Sequence, residues 1–332
     1  MVCRYTARTP DEQITAASAA HTFGRRVGTD YITEYKFQLD GSVRVGFDFA
    51  GYMETRWFAQ GVTPWERSLG EVVHQNLIAP LHSHFGCFKV DLDAASGKGE
   101  SFEVSEINAG LRPEVPDLRG HATKYVSRSF VEAEGIGVST FSAGGKIPHA
   151  FAVVDDSPLP TDDATPTGRP GYLIMPGPTV AQTLPNDHPF VLASAFSKYT
   201  LAVTKRKESE YRPTSVYDLF GPAEPYASLD RFFDGESLRQ TDLVAWVNLG
   251  KEHVPRTEDV PLISNFGTYF DLCARPRLTC PHTRASLFRR PAGAAPSLRQ
   301  RLDRVVRRLP RNIHPVNAAM DVYVAEVGES ER

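Results

Sequence analysis

The chain has 332 residues, with 37 Lys+Arg against 40 Asp+Glu and a net charge of −3. A chain of this length buries about three quarters of its unfolded surface, so the core needs no disulfide or metal staple. Balanced charge excludes nucleic-acid binding by general basicity, and 41% hydrophobic with 23% charged residues excludes wholesale disorder.

In chain order, Met1–Gln13 has no apolar signal core, and no run approaches 18 apolar residues. The expectation is a cytoplasmic protein with no membrane span. From Asp30 to Gly51, bulky residues alternate with polar ones on both sides of Asp40-Gly41, which predicts a β-hairpin. Strand-like blocks follow at Leu77–Leu92, Leu192–Val203 and Asp242–Leu249. Eight prolines between Asp155 and Pro189 predict a long loop with one strand at Gly171–Met175, and a second long loop is expected near 212–240. After about residue 284 the character changes. Ser297 is expected to cap a helix with Leu298, Leu302, Val305, Val306 and Leu309 on one face and five arginines on the other, stopped by Pro310. The predicted organisation is a mostly β antiparallel sandwich over 1–283 and a basic amphipathic helical tail over 284–332. That tail packs on the domain or meets an acidic partner or membrane surface.

Cys3, Cys87, Cys273 and Cys280 form no CxxC pair, so a cysteine zinc site is not expected. His82-Ser83-His84 lies in an apolar, strand-like run. On a strand, residues i and i+2 share a face, so both imidazoles can converge on one ion, and a third ligand must come from elsewhere. An all-imidazole set with open positions suits copper or zinc. Asp91 and Asp93 form a second such pair, of the oxygen ligands calcium prefers. Their parity is opposite to that of the histidines, so two separate sites are implied.

These residues resemble the catalytic domain of the copper-containing, topaquinone amine oxidases. The run 79–93 is similar to the family's HxH copper strand with its Asp-x-Asp ending, and 201–213 to its Leu-Trp-Val-Thr segment, with Ala202 for Trp. Residues 241–261 resemble the third-histidine block, and 30–43 the strand after the cofactor tyrosine. The resemblance implies copper held by His82, His84 and His253, with an interval of 169 residues from His84 to His253. It also implies a calcium or manganese site at Asp91, Asp93 and Asp242 with the carbonyls of Leu92 and Leu243. A homodimer with exchanged hairpin arms is implied as well.

Two features depart from the family. Its quinone precursor is a tyrosine, and the matching position here is Thr29, so topaquinone is not expected to form by the usual route. Tyr31 matches the motif's second tyrosine, and a strand-register shift that carried it to the metal would flip its neighbours to the other face. Only 28 residues precede Thr29, so the strand that carries the family's proton-abstracting aspartate is expected to be absent. Thr257 and Val260 replace a usual proline and bulky aromatic, which is expected to alter packing behind His253. Three functions follow from the resemblance. One is oxidation of a small primary amine to an aldehyde, with hydrogen peroxide and ammonia released, if Tyr31 matures in place of Thr29. The others are a quinone-less copper protein doing other oxidation or Lewis-acid chemistry, and a non-catalytic relic.

Overall fold

The computed structural model describes residues 18–26, 29–38, 41–58, 63–94, 99–111, 121–142, 150–157, 169–215, 227–275 and 320–327. The described strands run β1 (Ser18–Arg26), β2 (Thr29–Phe37), β3 (Val43–Tyr52), β4 (Arg56–Trp57), β5 (Gly70–His74), β6 (Leu77–Pro80), β7 (His82–Asp91) and β8 (Glu100–Leu111). They continue as β9 (Ala122–Phe130), β10 (Thr140–Phe141), β11 (Ala150–Asp155), β12 (Gly171–Pro176), β13 (Leu201–Lys205), β14 (Leu243–His253), β15 (Leu262–Arg275) and β16 (Met320–Val327). One short helix, α1 (Pro189–Ala193), precedes β13.

Among the described residues, an eight-stranded sheet has the order β1-β2-β3-β15-β12-β11-β8-β9, and a five-stranded sheet the order β10-β13-β14-β7-β16. A three-stranded sheet, β4-β6-β5, stands apart from both. All the pairings are antiparallel. This is the expected β-sandwich.

Alternation in the sequence becomes alternation of burial. On β3, Val43, Val45, Phe47 and Phe49 are buried, and they face Phe88 and Val90 of β7 and Val247 and Leu249 of β14 in one core. The five-stranded sheet is covered on its other face too. Phe85, Cys87, Val244 and Trp246 pack there against Phe196, Tyr199, Leu229 and Phe232. Double coverage explains why Leu243–Gly250 is buried without interruption rather than alternating. Gly86 marks a close approach of the two sheets, because a Cβ there would lie 2.3 Å from the Phe47 ring.

The hairpin forms as expected, and Gly41 takes φ +86° in its turn, where a side chain would be strained. The strand over Gly171–Met175 is present as β12. Two blocks differ from expectation. Leu77–Leu92 is divided at Leu81 into β6 and β7, which belong to different sheets. Pro80 cannot donate to a ladder, and the chain leaves the small sheet there. Leu192–Val203 is a strand only from Leu201. Before it, α1 begins with Pro189 in its first turn, and its cap His188 Nδ1 accepts from the Phe190 N–H at 3.2 Å. A single turn of 3-10 helix, Ala195–Lys198, follows. A short apolar run does not separate strand from buried helix, and here the run covers the outer face of the five-stranded sheet.

The expected helix from Ser297 lies outside the described residues, as does Asp40. Further on, β16 pairs along β7, so part of the tail belongs to the sheet. Among the described residues no helix is long and apolar enough to cross a membrane.

Candidate metal centre

Strand β7 presents His82, His84, Gly86, Phe88 and Val90 to the inner face, and β14 runs antiparallel beside it. The register sets His253 directly opposite His82. All three imidazoles are buried, and one ligand atom from each lies within 4.8 Å of the others. Their walls are apolar. Phe49 stacks on His84 at 4.7 Å between ring centroids, and Phe266 lies 4.8 Å from His253.

Each ring is engaged from behind. His82 Nδ1 lies 2.9 Å from the Pro80 carbonyl, so that nitrogen carries the proton and donates it. Its Nε2 is left with a lone pair, 3.1 Å from His253 Nδ1. His253 Nε2 faces Asp259 Oδ2 at 3.7 Å. Tyr31 Oη lies 3.4 Å from His84 Nδ1, so Nε2 is the atom His84 offers to the centre. Burial, then the neighbouring His82 and His253, push the His84 pKa down to about 2. Burial and His82 bring His253 down to about 4, with Asp259 partly opposing them. Both rings are therefore neutral at physiological pH, the form that binds metals.

This donor set fits copper. The inward nitrogens of His82 and His253 lie 3.1 Å apart, a distance at which they share one proton or serve as two ligands of one ion. The separation suits two nitrogens bound to one ion at about 2.0–2.1 Å each. Three imidazoles without a thiolate or carboxylate match copper or zinc rather than calcium or magnesium.

Tyr31 requires a correction. No register shift is needed to bring it to the centre. Thr29 and Tyr31 are two residues apart on β2 and share its buried face, and in the observed register the phenol reaches His84. Its ring packs edge-on to Phe49 at 5.7 Å and stacks on Phe47 at 5.8 Å.

The aspartates lie elsewhere, as their parity implies. Asp91 is on the outer face of β7, where Arg206 Nε reaches its Oδ2 at 2.8 Å. Arg206 Nη1 lies 3.5 Å from Asp242 Oδ2, and Nη2 lies 2.8 Å from Glu208. Burial raises the Asp91 carboxyl, Arg206 opposes, and Asp242 and Asp93 add to the rise. Asp93 is exposed, Leu92 and Leu243 are buried, and the Leu92 carbonyl accepts from the Ala94 N–H at 2.9 Å. A further acidic group, Glu134, Asp234 and Glu236, is held by Lys205 and Lys207.

Sequence reasoning missed Asp259. It sits on a 3-10 turn, Thr257–Asp259, which returns the chain behind His253. Arg256 holds it through its own backbone N–H at 3.1 Å from Oδ2 and through Nη2 at 3.2 Å from Oδ1. Burial alone would raise this carboxyl, and the Arg256 hydrogen bonds more than reverse that and keep it ionised. The available signal was a carboxylate six residues after a candidate ligand, within reach if the chain turns back.

Comparisons with known proteins agree with this geometry. Residues 28–276 match the family described as copper amine oxidase, enzyme domain. The chain is 28% identical over 233 residues to copper amine oxidase vicK1 of Bipolaris victoriae, covering 70% of this chain and 31% of that one. It is 29% identical over 252 residues to amine oxidase [copper-containing] 3 of Rattus norvegicus, covering 74% and 31%. In fold it is similar to the Aspergillus nidulans amine oxidase, with a TM-score of 0.68, 23% identity, and 85% of this chain and 38% of that one covered. A copper-containing benzylamine oxidase from Hansenula polymorpha gives 0.67 at 18% identity, covering 80% and 41%. The chain spans about a third of the length of these relatives. With three quarters of its residues inside the enzyme-domain match and an imidazole triad at its centre, the chain belongs to the copper amine oxidase family.

Proposed function

We propose that this chain binds one copper ion through Nε2 of His82, Nε2 of His84 and Nδ1 of His253, without the family's usual quinone. The 3.1 Å approach of two inward-facing imidazole nitrogens carries this reading. Bound copper(II) supplies one-electron oxidation and, in its reduced form, reaction with dioxygen. The chain's own residues fix its surroundings. Phe49 and Phe266 exclude water, while Pro80, Asp259 and Tyr31 hold the three rings. Thr29, at the position matching the cofactor tyrosine, is buried and has no ring to oxidise.

A second reading rests on Tyr31. This phenol is buried beside a copper ligand, and its oxidation to a quinone would supply the carbonyl needed for turning a primary amine into an aldehyde. Copper counting and phenylhydrazine titration after aerobic incubation with copper(II) separate the two readings. One copper per chain with no hydrazone band supports the quinone-less protein. A stoichiometric band that maps to Tyr31 supports the amine oxidase. No copper retained overturns both.

We also propose a weak secondary cation site at Asp91, Asp93 and Asp242 with the Leu92 and Leu243 carbonyls, in which Arg206 competes with calcium or manganese. Homodimer assembly is proposed on the resemblance alone, and sedimentation equilibrium tests it.

A further inference from the structure

We infer that Lys251 makes the copper centre a site for small anions, held beside the metal by its ammonium group. The inference rests on the proposed copper site and deepens it. In the β7–β14 ladder His253 pairs with His82, and Lys251 pairs with His84. Residues directly opposite one another share a face, and so do residues two apart on one strand. Three corners of one rectangle on the inner face are therefore imidazoles, and the fourth is a lysine. Along β14 the inner row reads Val247, Leu249, Lys251, His253. Val247, Leu249 and His253 are buried, and Lys251 is part-buried between the last two. Lysine is rarely placed in such a row without a partner.

Among the described residues no carboxylate pairs with Lys251. Glu252 turns to the other face, where it accepts from Ser83 Oγ at 2.6 Å. Asp259 is committed to Arg256, whose Nη2 lies 3.2 Å from Oδ1. A copper ion held by three neutral imidazoles keeps its full positive charge. Lys251 then faces a like charge where water is partly excluded, and repulsion there is stronger than in bulk. An anion between the two cations turns both interactions favourable. Three imidazoles leave coordination positions open, and an ammonium offers three donors and no acceptor. The ligand class is therefore a small anion that bonds copper and accepts from Lys251 at once.

The test titrates azide into the copper(II)-loaded forms of wild type, Lys251→Met, Lys251→Arg and Lys124→Met. The last removes the same charge from an exposed position on β9. Binding is read from the azide-to-copper charge-transfer band. Lys251→Met is expected to bind azide about tenfold more weakly, and Lys251→Arg within about threefold of wild type. With the like charge gone, Lys251→Met should hold copper(II) itself as tightly as wild type or more so, read by chelator competition. Equal azide affinity in Lys251→Met and wild type overturns the inference, as does an equal loss in Lys124→Met. So does weaker copper(II) binding in Lys251→Met, which would make Lys251 a support of the ligands. A wild type that binds copper but shows no azide band overturns it as well. If wild type binds no copper, the copper site itself fails and this inference falls with it. Should Lys251→Met not fold, acetylation of copper-loaded wild type decides, read residue by residue by mass spectrometry. Azide that slows acetylation of Lys251 but not of Lys124 supports the inference, and equal rates with and without azide overturn it.

Discussion

At the residue scale, the centre depends on which nitrogen of each ring is turned inward. Tyr31 contributes through its hydroxyl alone, because its ring is packed between Phe47 and Phe49 whatever it carries at the para position. Tyr31→Phe is therefore expected to keep the fold and weaken copper(II) binding by about tenfold, read by chelator competition. The same variant should lose any hydrazone band that wild type shows, and a band that persists would place the quinone elsewhere. Arg206 presents the opposite case. It is itself a cation held by Asp91 and Asp242, and its removal should cost under about 1 kcal/mol because the pair is partly solvated. Arg206→Gln should strengthen calcium or manganese binding several-fold in titration calorimetry. If neither protein takes up either ion, the secondary site is refuted.

At the element scale, β7 and β14 hold the ligands because both strands are buried on two faces and their register is fixed by core residues. Gly86 sits two residues after His84 and permits the sheets to close on the Phe47 ring. Gly86→Ala is expected to destabilise the fold by about 1–3 kcal/mol, read as a lowered urea midpoint. It should also loosen copper binding, because the displaced Phe47 ring packs on Phe49 and Tyr31, which both touch His84. A second tie joins loops at the ends of β8, β11 and β14. Burial would raise the Asp156 carboxyl, but hydrogen bonds from Arg239 and Ser101, with the charge of Arg169, bring it below its ordinary value. A depressed folded pKa gives stability that is present above the unfolded value and lost as pH falls through the folded one. Urea midpoints are therefore expected to drop as pH falls below about 4. Asp156→Asn should be less stable at neutral pH and show a shallower acid dependence. Equal slopes in the two proteins would remove Asp156 from that account.

At the scale of the whole molecule, the proposed copper ion would join the two ligand-bearing strands into one unit. An ion held by the proposed ligands of β7 and β14 would have no comparable site in the unfolded chain, so copper(II) should raise the melting temperature. The increase should vanish in His84→Ala, whose ligand set is broken, and a rise of equal size in that variant would place the binding elsewhere.

Much of this was legible in the sequence because the relevant periodicities are local. The two-residue spacing of His82 and His84 on a strand puts both rings on one face, and the same rule sends Asp91 to the other. The hairpin turn at Gly41 and the single strand within the proline-rich stretch are equally local, set by backbone conformation and missing donors. Where the sequence misled, the cause was context. The apolar run after Pro189 reads equally well as strand or helix, and covering the outer face of the five-stranded sheet decided the matter. Tertiary packing alone determined the rest. The 3.1 Å approach of His82 to His253 depends on strand pairing across 171 positions, and Tyr31 reaches His84 only across the gap between two sheets. Asp259 stands behind His253 because the chain turns back on itself after β14. Sequence spacing supplies the donors, but hydrogen bonds and coordination act over a few ångströms, and only the packed sheets bring distant residues that close.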